Sequence, residues 1–254
     1  MSSISLLPSV NKTIHPSDSL APVYRAQYGI DEYFRSGLVH VDVLDQLART
    51  HLGVPFSGLG AIADFACHYG RLLRAFRVAA PKAKLVACDI DNGALDFCAQ
   101  EFGAEKFHSA WTPASTVQPP VVDLLICVSL LTHTRYAFMQ DILQLWEQMV
   151  RPGGLLLFTF LGAGYMRSWE AGEMAHYGPA TPDDIARVSR EFKQQGHAVH
   201  SYLTGYSDSE YGVGFVGQEL VTKAIEARKA FEIIEFRPGT ISGFGQDLAI
   251  VRRR

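Results

Sequence analysis

The sequence predicts an α/β protein: a doubly wound, mostly parallel sheet of seven strands, with helices on both faces and an antiparallel pair of strands at its end. Two observations carry this. Short apolar runs alternate with helix-period segments from Ala61 to Phe160, the rhythm of right-handed crossovers between parallel strands. Near the end, FEIIEFRPG and GQDLAIVRR are joined by a loop too short for a helical crossover, so these two strands pair antiparallel at one sheet edge.

Composition sets the frame. The chain has 254 residues, 48% of them hydrophobic, enough for one α/β domain with an elaboration and a sizeable core. A formal charge of -3 leaves no electrostatic footprint for nucleic acid, and the triplet Arg252, Arg253, Arg254 reads as a solvated tail. The four cysteines, Cys67, Cys88, Cys98 and Cys127, lack zinc-site spacing and read as buried free thiols of a reducing compartment. MSSISLLPSVNK lacks the pattern of an export signal. No apolar run reaches the roughly 18 residues of a bilayer span. A cytoplasmic protein without a membrane or nucleic-acid partner is therefore expected; its oligomeric state is not legible.

In chain order, residues 1 to about 20, polar with Ser and Pro, are expected to be poorly ordered. From Tyr24 to Leu52 the pattern is helical, with Val41, Leu44, Leu47 and Ala48 on one face and Gly53 placed to close it. The aromatics Tyr24, Tyr28, Tyr33 and Phe34 either pack on the core or cover a ligand, with packing favoured. Residues 1–57 thus form a tail and helical extension, and 58–254 the main domain.

That domain opens on AIADFACHYGRLLRAF, Ala61 to Phe76, where an apolar run reaches Asp64, passes Ala66 and Cys67, and meets Gly70 before a helix. Small residues let the backbone bend sharply and let a ligand approach its N–H groups. KLVACD is the second strand and ends at Asp89; Asn92 starts a helix carrying Ala94, Leu95, Cys98 and Phe102, which Gly103 ends. A short third strand runs from Lys106 to Ala110, and VVDLLICVS is the fourth. Tyr136 to Val150 is a helix with Ile142, Leu145, Trp146 and Met149 on its apolar face, and RPGG leads into the fifth strand, LLLFTF. Residues 161–216 are an insertion rich in Gly and Tyr with one helix, opened by Thr181, Pro182 and Asp184 and closed by Gly196. Such an insertion at the carboxyl edge of the strands is where substrate-covering segments sit. A last helix runs from Gln218 to Ala230.

Gly70 and Asp89 are about twenty residues apart, the separation at which an acid ending the second strand meets a ribose held over the first turn. The competing role for Asp89, capping the next helix, is already available to Asp91 and Asn92.

Taken together, ADFACHYGRLLRAF, VACDID, VDLLICVSLLTHT, RPGGLLLFTF and the terminal antiparallel pair resemble the class I S-adenosylmethionine-dependent methyltransferases over roughly residues 15 to 254. SLLTH, QDLAIVRR and the YGV of Tyr211 to Val213 look most like bacterial methyltransferase domains found alongside glycosyltransferases. The resemblance implies S-adenosyl-L-methionine as cofactor. It implies that Asp64 anchors the cofactor's amino end through water and that Ala66, Cys67, His68 and Gly70 wrap its amino-acid moiety. Asp89 would accept both ribose hydroxyls and Ile90 would lie against the adenine. Ser109 and Ala110 would border the adenine edge, and Val128 and Ser129 would lie near the sulfonium. Tyr69 or Phe65 would either face that cation or pack in the core.

Two departures stand out: the family usually has glycine at Ala66 and His68. Alanine is tolerated at negative φ, whereas His68 at positive φ would be strained, fill cofactor space, turn outward or contact the cofactor. Methyl transfer needs an acceptor in line and water excluded. For a hydroxyl acceptor a base helps, and His133, after the fourth strand, is the candidate against a packing role. Tyr206 and Tyr211 are candidate substrate contacts, with His108, His176 and Glu210 as further possibilities. No metal-ligand cluster is present in the sequence. The expected activity is methyl transfer, O-directed, to a small molecule or glycan. A cofactor-binding pseudoenzyme is the second reading, and a nicotinamide oxidoreductase the weakest, since G-x-G-x-x-G is absent.

Overall fold

The computed structural model describes residues 2–109, 118–174, 179–201, 211–239 and 246–254. Their main sheet has seven strands: β1 Ala61–Phe65, β2 Lys84–Asp89, β3 Glu105–His108, β4 Val122–Cys127, β5 Val150–Phe160, β8 Phe231–Arg237 and β9 Asp247–Arg253. They run in the order β3-β2-β1-β4-β5-β9-β8. The registers β1·β2, β1·β4 and β2·β3 are parallel, and β8·β9 is antiparallel. The α/β fold expected from the alternating pattern is the one formed. The helices are α1 Leu20–Gln27, α2 Ile30–Leu52, α3 Leu73–Ala79, α4 Asn92–Phe102, α5 Tyr136–Met149, α6 Ala163–Glu170, α7 Pro182–Gln195 and α8 Gln218–Ala227. Among the described residues no helix is long and apolar enough to cross a membrane.

The described residues group into two compact units, Met1–Cys127 with Gln148–Leu156, and Val128–Glu147 with Leu157–Arg254. In the first unit, β1, β2 and β4 are almost wholly buried, as continuous apolar strands covered on both faces should be. The helix predicted over Tyr24–Leu52 breaks at Gly29 into α1 and α2. Gly29 sits at φ 87°, where a side chain is strained, and Gly53 closes α2 in the left-handed conformation. Tyr24, Tyr33 and Phe34 are core residues, while Tyr28 is exposed.

The expectation of a poorly ordered start is corrected. Residues 3–9 form a 3-10 helix whose Ser3 N–H donates to Asp42. Residues 11–18 lie as a strap held by a guanidinium: the fully buried Arg74 donates to the carbonyls of Asn11 (2.8 Å) and Thr13 (3.0 Å), and also to those of Tyr69 and Gly70. Its charge is further met by the rings of Tyr33, Phe34 and Phe102 at 5.0–5.4 Å. Polar composition hid this because the strap is fixed through main-chain carbonyls, which any sequence supplies.

In the second unit the insertion differs from the single helix expected. It holds α6 and α7, and a two-stranded antiparallel sheet of β6 His197–His200 and β7 Val213–Val216. These share an apolar cluster of Leu161, Met166, Trp169, Val188, Val213 and Phe215. The α7 boundaries follow the sequence signals: Thr181 and Asp184 form a reciprocal capping box, and Gly196 ends the helix at φ 75°. The helix before β8 stops at Ala227, three residues short of Ala230.

Candidate functional site

The turn after β1 is built from alternating left-handed residues: Ala66 at φ 61°, His68 at φ 48° and Gly70 at φ 74°. Ala66 therefore occupies the strained region that a negative φ would have avoided. For L-residues this costs roughly 1–2 kcal/mol each, and such conformations persist where the surroundings over-determine them. At His68 the determinants are visible. Its N–H donates to Asp89 Oδ2 at 2.8 Å, and its carbonyl accepts from the thiols of Cys67 and Cys98, each at 3.5 Å. The imidazole turns toward the strap, with Nδ1 3.6 Å from Asp18 and Nε2 3.3 Å from Ser19. Of the four fates open to His68, the strained φ and the outward turn are both realised. Gly70 is obligatory on space as well, because a Cβ there would collide with the ring of Phe102 and meet Cys98 Sγ at 3.0 Å.

Asp18 explains why the strap holds. It is buried, caps α1 by accepting from the N–H groups of Leu20 and Ala21, and accepts from Tyr33 OH at 2.6 Å. His15 stacks on Tyr69 with centroids 4.6 Å apart, and Tyr69 OH donates to Asp91. Tyr69 and Phe65 are both buried, so packing accounts for these rings. Sequence reasoning passed over Asp18; its signal was the S-D-S-L start of α1, which has the form of a capping sequence.

Asp64 is 3% exposed. Burial pushes its carboxyl up to about 8, opposed by Arg71 and reinforced by Asp89. This buried acid near the end of β1 is the residue on which the resemblance placed the cofactor's amino end. Asp89 is engaged differently from expectation. Its Oδ1 accepts from the N–H groups of Ile90 (2.8 Å) and Asp91 (3.0 Å), and its Oδ2 from His68. A carboxylate offers about four acceptor positions, and these three bonds leave one, on Oδ2. Asp91, as expected, caps α4 through Gly93 and Ala94. Ile90 is exposed, and Ser109 is buried with its N–H bonded to Asp89 O. Ala110 lies outside the described residues, as do Tyr206, His176 and Glu210. His108 bonds the carbonyl of Ile90.

In the second unit, Val128 and Ser129 are half-buried directly after β4, and Ser129 is a third non-glycine residue at positive φ, 67°. His133 Nδ1 lies 2.8 Å from Gly212 O. A carbonyl only accepts, so Nδ1 carries the proton and Nε2 the lone pair. Burial holds the imidazole below its ordinary range, partly offset by that hydrogen bond. The ring stacks on Tyr211 at 5.0 Å, and Thr134 pairs with Tyr211 as an antiparallel bridge. Thus His133 and Tyr211, candidates from distant parts of the sequence, are brought together in a form suited to accepting a proton. Among the described residues no cluster of His, Cys, Asp and Glu is arranged to hold a metal ion.

Residues 63–156 match the model of a methyltransferase domain. Among solved structures, an S-adenosylmethionine-dependent methyltransferase from Clostridium acetobutylicum is similar with a TM-score of 0.58 at 12% identity, over 94% of this chain and 99% of that one. Magnesium protoporphyrin IX methyltransferase from Synechocystis, solved with bound SAH, gives a TM-score of 0.56 at 13% identity, over 93% and 96%. A methyltransferase from Methanosarcina mazei gives 0.51 at 14%, over 76% and 92%. No curated protein sequence matches the chain. Residues 63–156 thus match a methyltransferase domain, and the sheet as a whole has the fold of these solved methyltransferases.

Proposed function

We propose that the chain transfers a methyl group to a hydroxyl oxygen of a small molecule or glycan, with His133 as the general base. The observation that carries this is the protonation pattern of His133: Nδ1–H committed to Gly212 O, and an imidazole kept neutral by burial. A neutral imidazole with its lone pair at Nε2 takes the proton of a hydroxyl as the oxygen becomes nucleophilic. Tyr211 fixes the ring plane by stacking, and Tyr206 is proposed as a further acceptor contact. S-adenosyl-L-methionine, when bound, supplies the electrophilic methyl group.

The remaining roles belong to side chains and backbone of the turn. Asp64 receives the amino end of the cofactor and Ala66, Cys67, His68 and Gly70 wrap its amino-acid part. Asp89 Oδ2 takes one ribose hydroxyl. Ile90 lies against the adenine with Ser109 and Ala110 at its edge, and Val128 and Ser129 lie near the sulfonium. The SLLTH, YGV and QDLAIVRR segments support a bacterial methyltransferase of the kind found alongside glycosyltransferases, and the four free cysteines support a reducing, cytoplasmic setting. Residues 1–57 serve as the helical extension, and 161–216 as the segment that covers acceptor.

Calorimetric titration with S-adenosylhomocysteine tests the cofactor half: micromolar-range binding is expected, weakened at least tenfold in Asp89→Ala, and no heat with folded protein would overturn it. Transfer of labelled methyl to an oxygen of an acceptor from a small-molecule and glycan panel, lost in His133→Gln, tests the other half. The pseudoenzyme reading draws on one observation, the two non-glycine residues at left-handed φ in the turn. It predicts binding without transfer to any acceptor.

A further inference from the structure

Ser129 is bonded at every polar atom by a side chain distant in sequence or turned back upon it. Its N–H donates to Thr159 Oγ1 at 2.8 Å, and its carbonyl accepts from Thr132 Oγ1 at 2.6 Å. Its hydroxyl meets both ends of the Gln246 amide, donating to Oε1 at 3.1 Å and accepting from Nε2 at 2.9 Å. Gln246 is 1% exposed and Thr159 is fully buried. Buried polar groups matched this completely specify one local geometry, and the geometry specified is a left-handed φ on a residue with a Cβ.

That backbone conformation turns the chain immediately after β4. The turn closes with His133 N–H on Leu130 O at 3.0 Å and is met by Gly214 N–H on Thr132 O at 2.8 Å and Gly212 N–H on His133 O at 2.9 Å. The imidazole at the end of this turn reaches Gly212 O. A turn that relaxed to ordinary φ would redirect residues 130–133 and pull Nδ1 from its carbonyl.

We infer that Gln246 and Thr159 are positioning residues for His133: they hold Ser129 left-handed, and the turn so formed fixes the tautomer of the imidazole. The inference deepens the reading of His133 as a base and rests on it for its functional meaning, but its structural content is measurable apart from catalysis.

The test is long-range ¹H–¹⁵N NMR of the His133 ring in the full-length chain. The unsubstituted protein should show a single tautomer protonated at Nδ1. Gln246→Met, which keeps the volume and removes the amide, should add a population protonated at Nε2. Thr159→Val should do the same by a separate route, which covers the case in which Gln246→Met does not fold. Because glycine adopts positive φ without strain, adding Ser129→Gly to either variant should restore the single tautomer. An unchanged tautomer in both single variants, or a shift that Ser129→Gly does not reverse, overturns the inference. S-adenosylhomocysteine titration of the same samples keeps this outcome separate from failure of the cofactor reading.

Discussion

The carboxylate of Asp89 accepts a hydrogen bond from the backbone N–H of His68 at 2.8 Å, so the acid that ends the second strand fixes the turn that ends the first. One side chain thereby both shapes the loop and presents an acceptor to whatever lies over it. Asp89→Asn keeps the volume but sets an NH2 donor against a backbone N–H in place of one accepting oxygen; stability by urea unfolding should fall by about 1.5–3 kcal/mol, and S-adenosylhomocysteine affinity about tenfold or more. Unchanged stability would mean that the turn holds its shape without this carboxylate.

Asp64 should make stability depend on pH. Its carboxyl is raised from 3.8 to about 8, so between those values the folded chain holds a proton that the unfolded chain has released. Stability therefore falls as pH rises from about 4 to about 8, by up to about 1.4 kcal/mol per pH unit, and is flat beyond. The difference between the unsubstituted protein and Asp64→Asn in urea unfolding across this range isolates the effect. A cationic amine bound at Asp64 would favour the ionised form, so S-adenosylhomocysteine binding near pH 7 should release a proton, seen as a heat that changes with buffer ionisation enthalpy.

Ala66→Gly should stabilise the fold. Relief of left-handed strain, roughly 1–2 kcal/mol, outweighs the added flexibility of the unfolded chain, about 0.4–1 kcal/mol. Urea unfolding should show a gain of up to about 1.6 kcal/mol.

Arg74→Met should cost about 2–4 kcal/mol, because four carbonyls lose their charged donor while the aliphatic volume is kept. The strap should then become the first site of limited proteolysis, with new cleavage within residues 11–18. Cleavage unchanged from the unsubstituted protein would show that the strap is held by Asp18 and His15 instead.

For methyl transfer, the sign of the His133 shift sets the pH profile. The base works when neutral and burial lowers its pKa, so the rate should be half-maximal below 6.5 and level above it. His133→Gln should reduce turnover by about 10²-fold or more without altering S-adenosylhomocysteine affinity.

Much of the fold was legible because it rests on local periodicity: alternation of apolar runs with helices, Gly53, Gly103 and Gly196 as helix ends, and the Thr181–Asp184 box. The main-sheet edge was legible for the same reason, since the short connection between β8 and β9 leaves little choice. What escaped depends on long-range pairing. The φ of His68 is held by Asp89 of β2 and Cys98 of α4 rather than by histidine's own preference. The strap is fixed by an arginine more than sixty positions away in sequence, and the Ser129–Gln246 pair spans 117 positions. α6 was hidden because its eight residues include Gly164 and only two that are buried. The candidate acids and His133 were readable as residue types at strand ends; their protonation and remaining acceptor capacity were not.

The guanidinium of Arg74 has one more consequence, for the order in which the chain folds as it is made. Asn11 and Thr13 leave the ribosome long before the residue that captures their carbonyls, and the rings that shield the charge include Phe102. Residues 11–18 thus wait for α3 and α4 before their carbonyls meet this donor and its shielding rings.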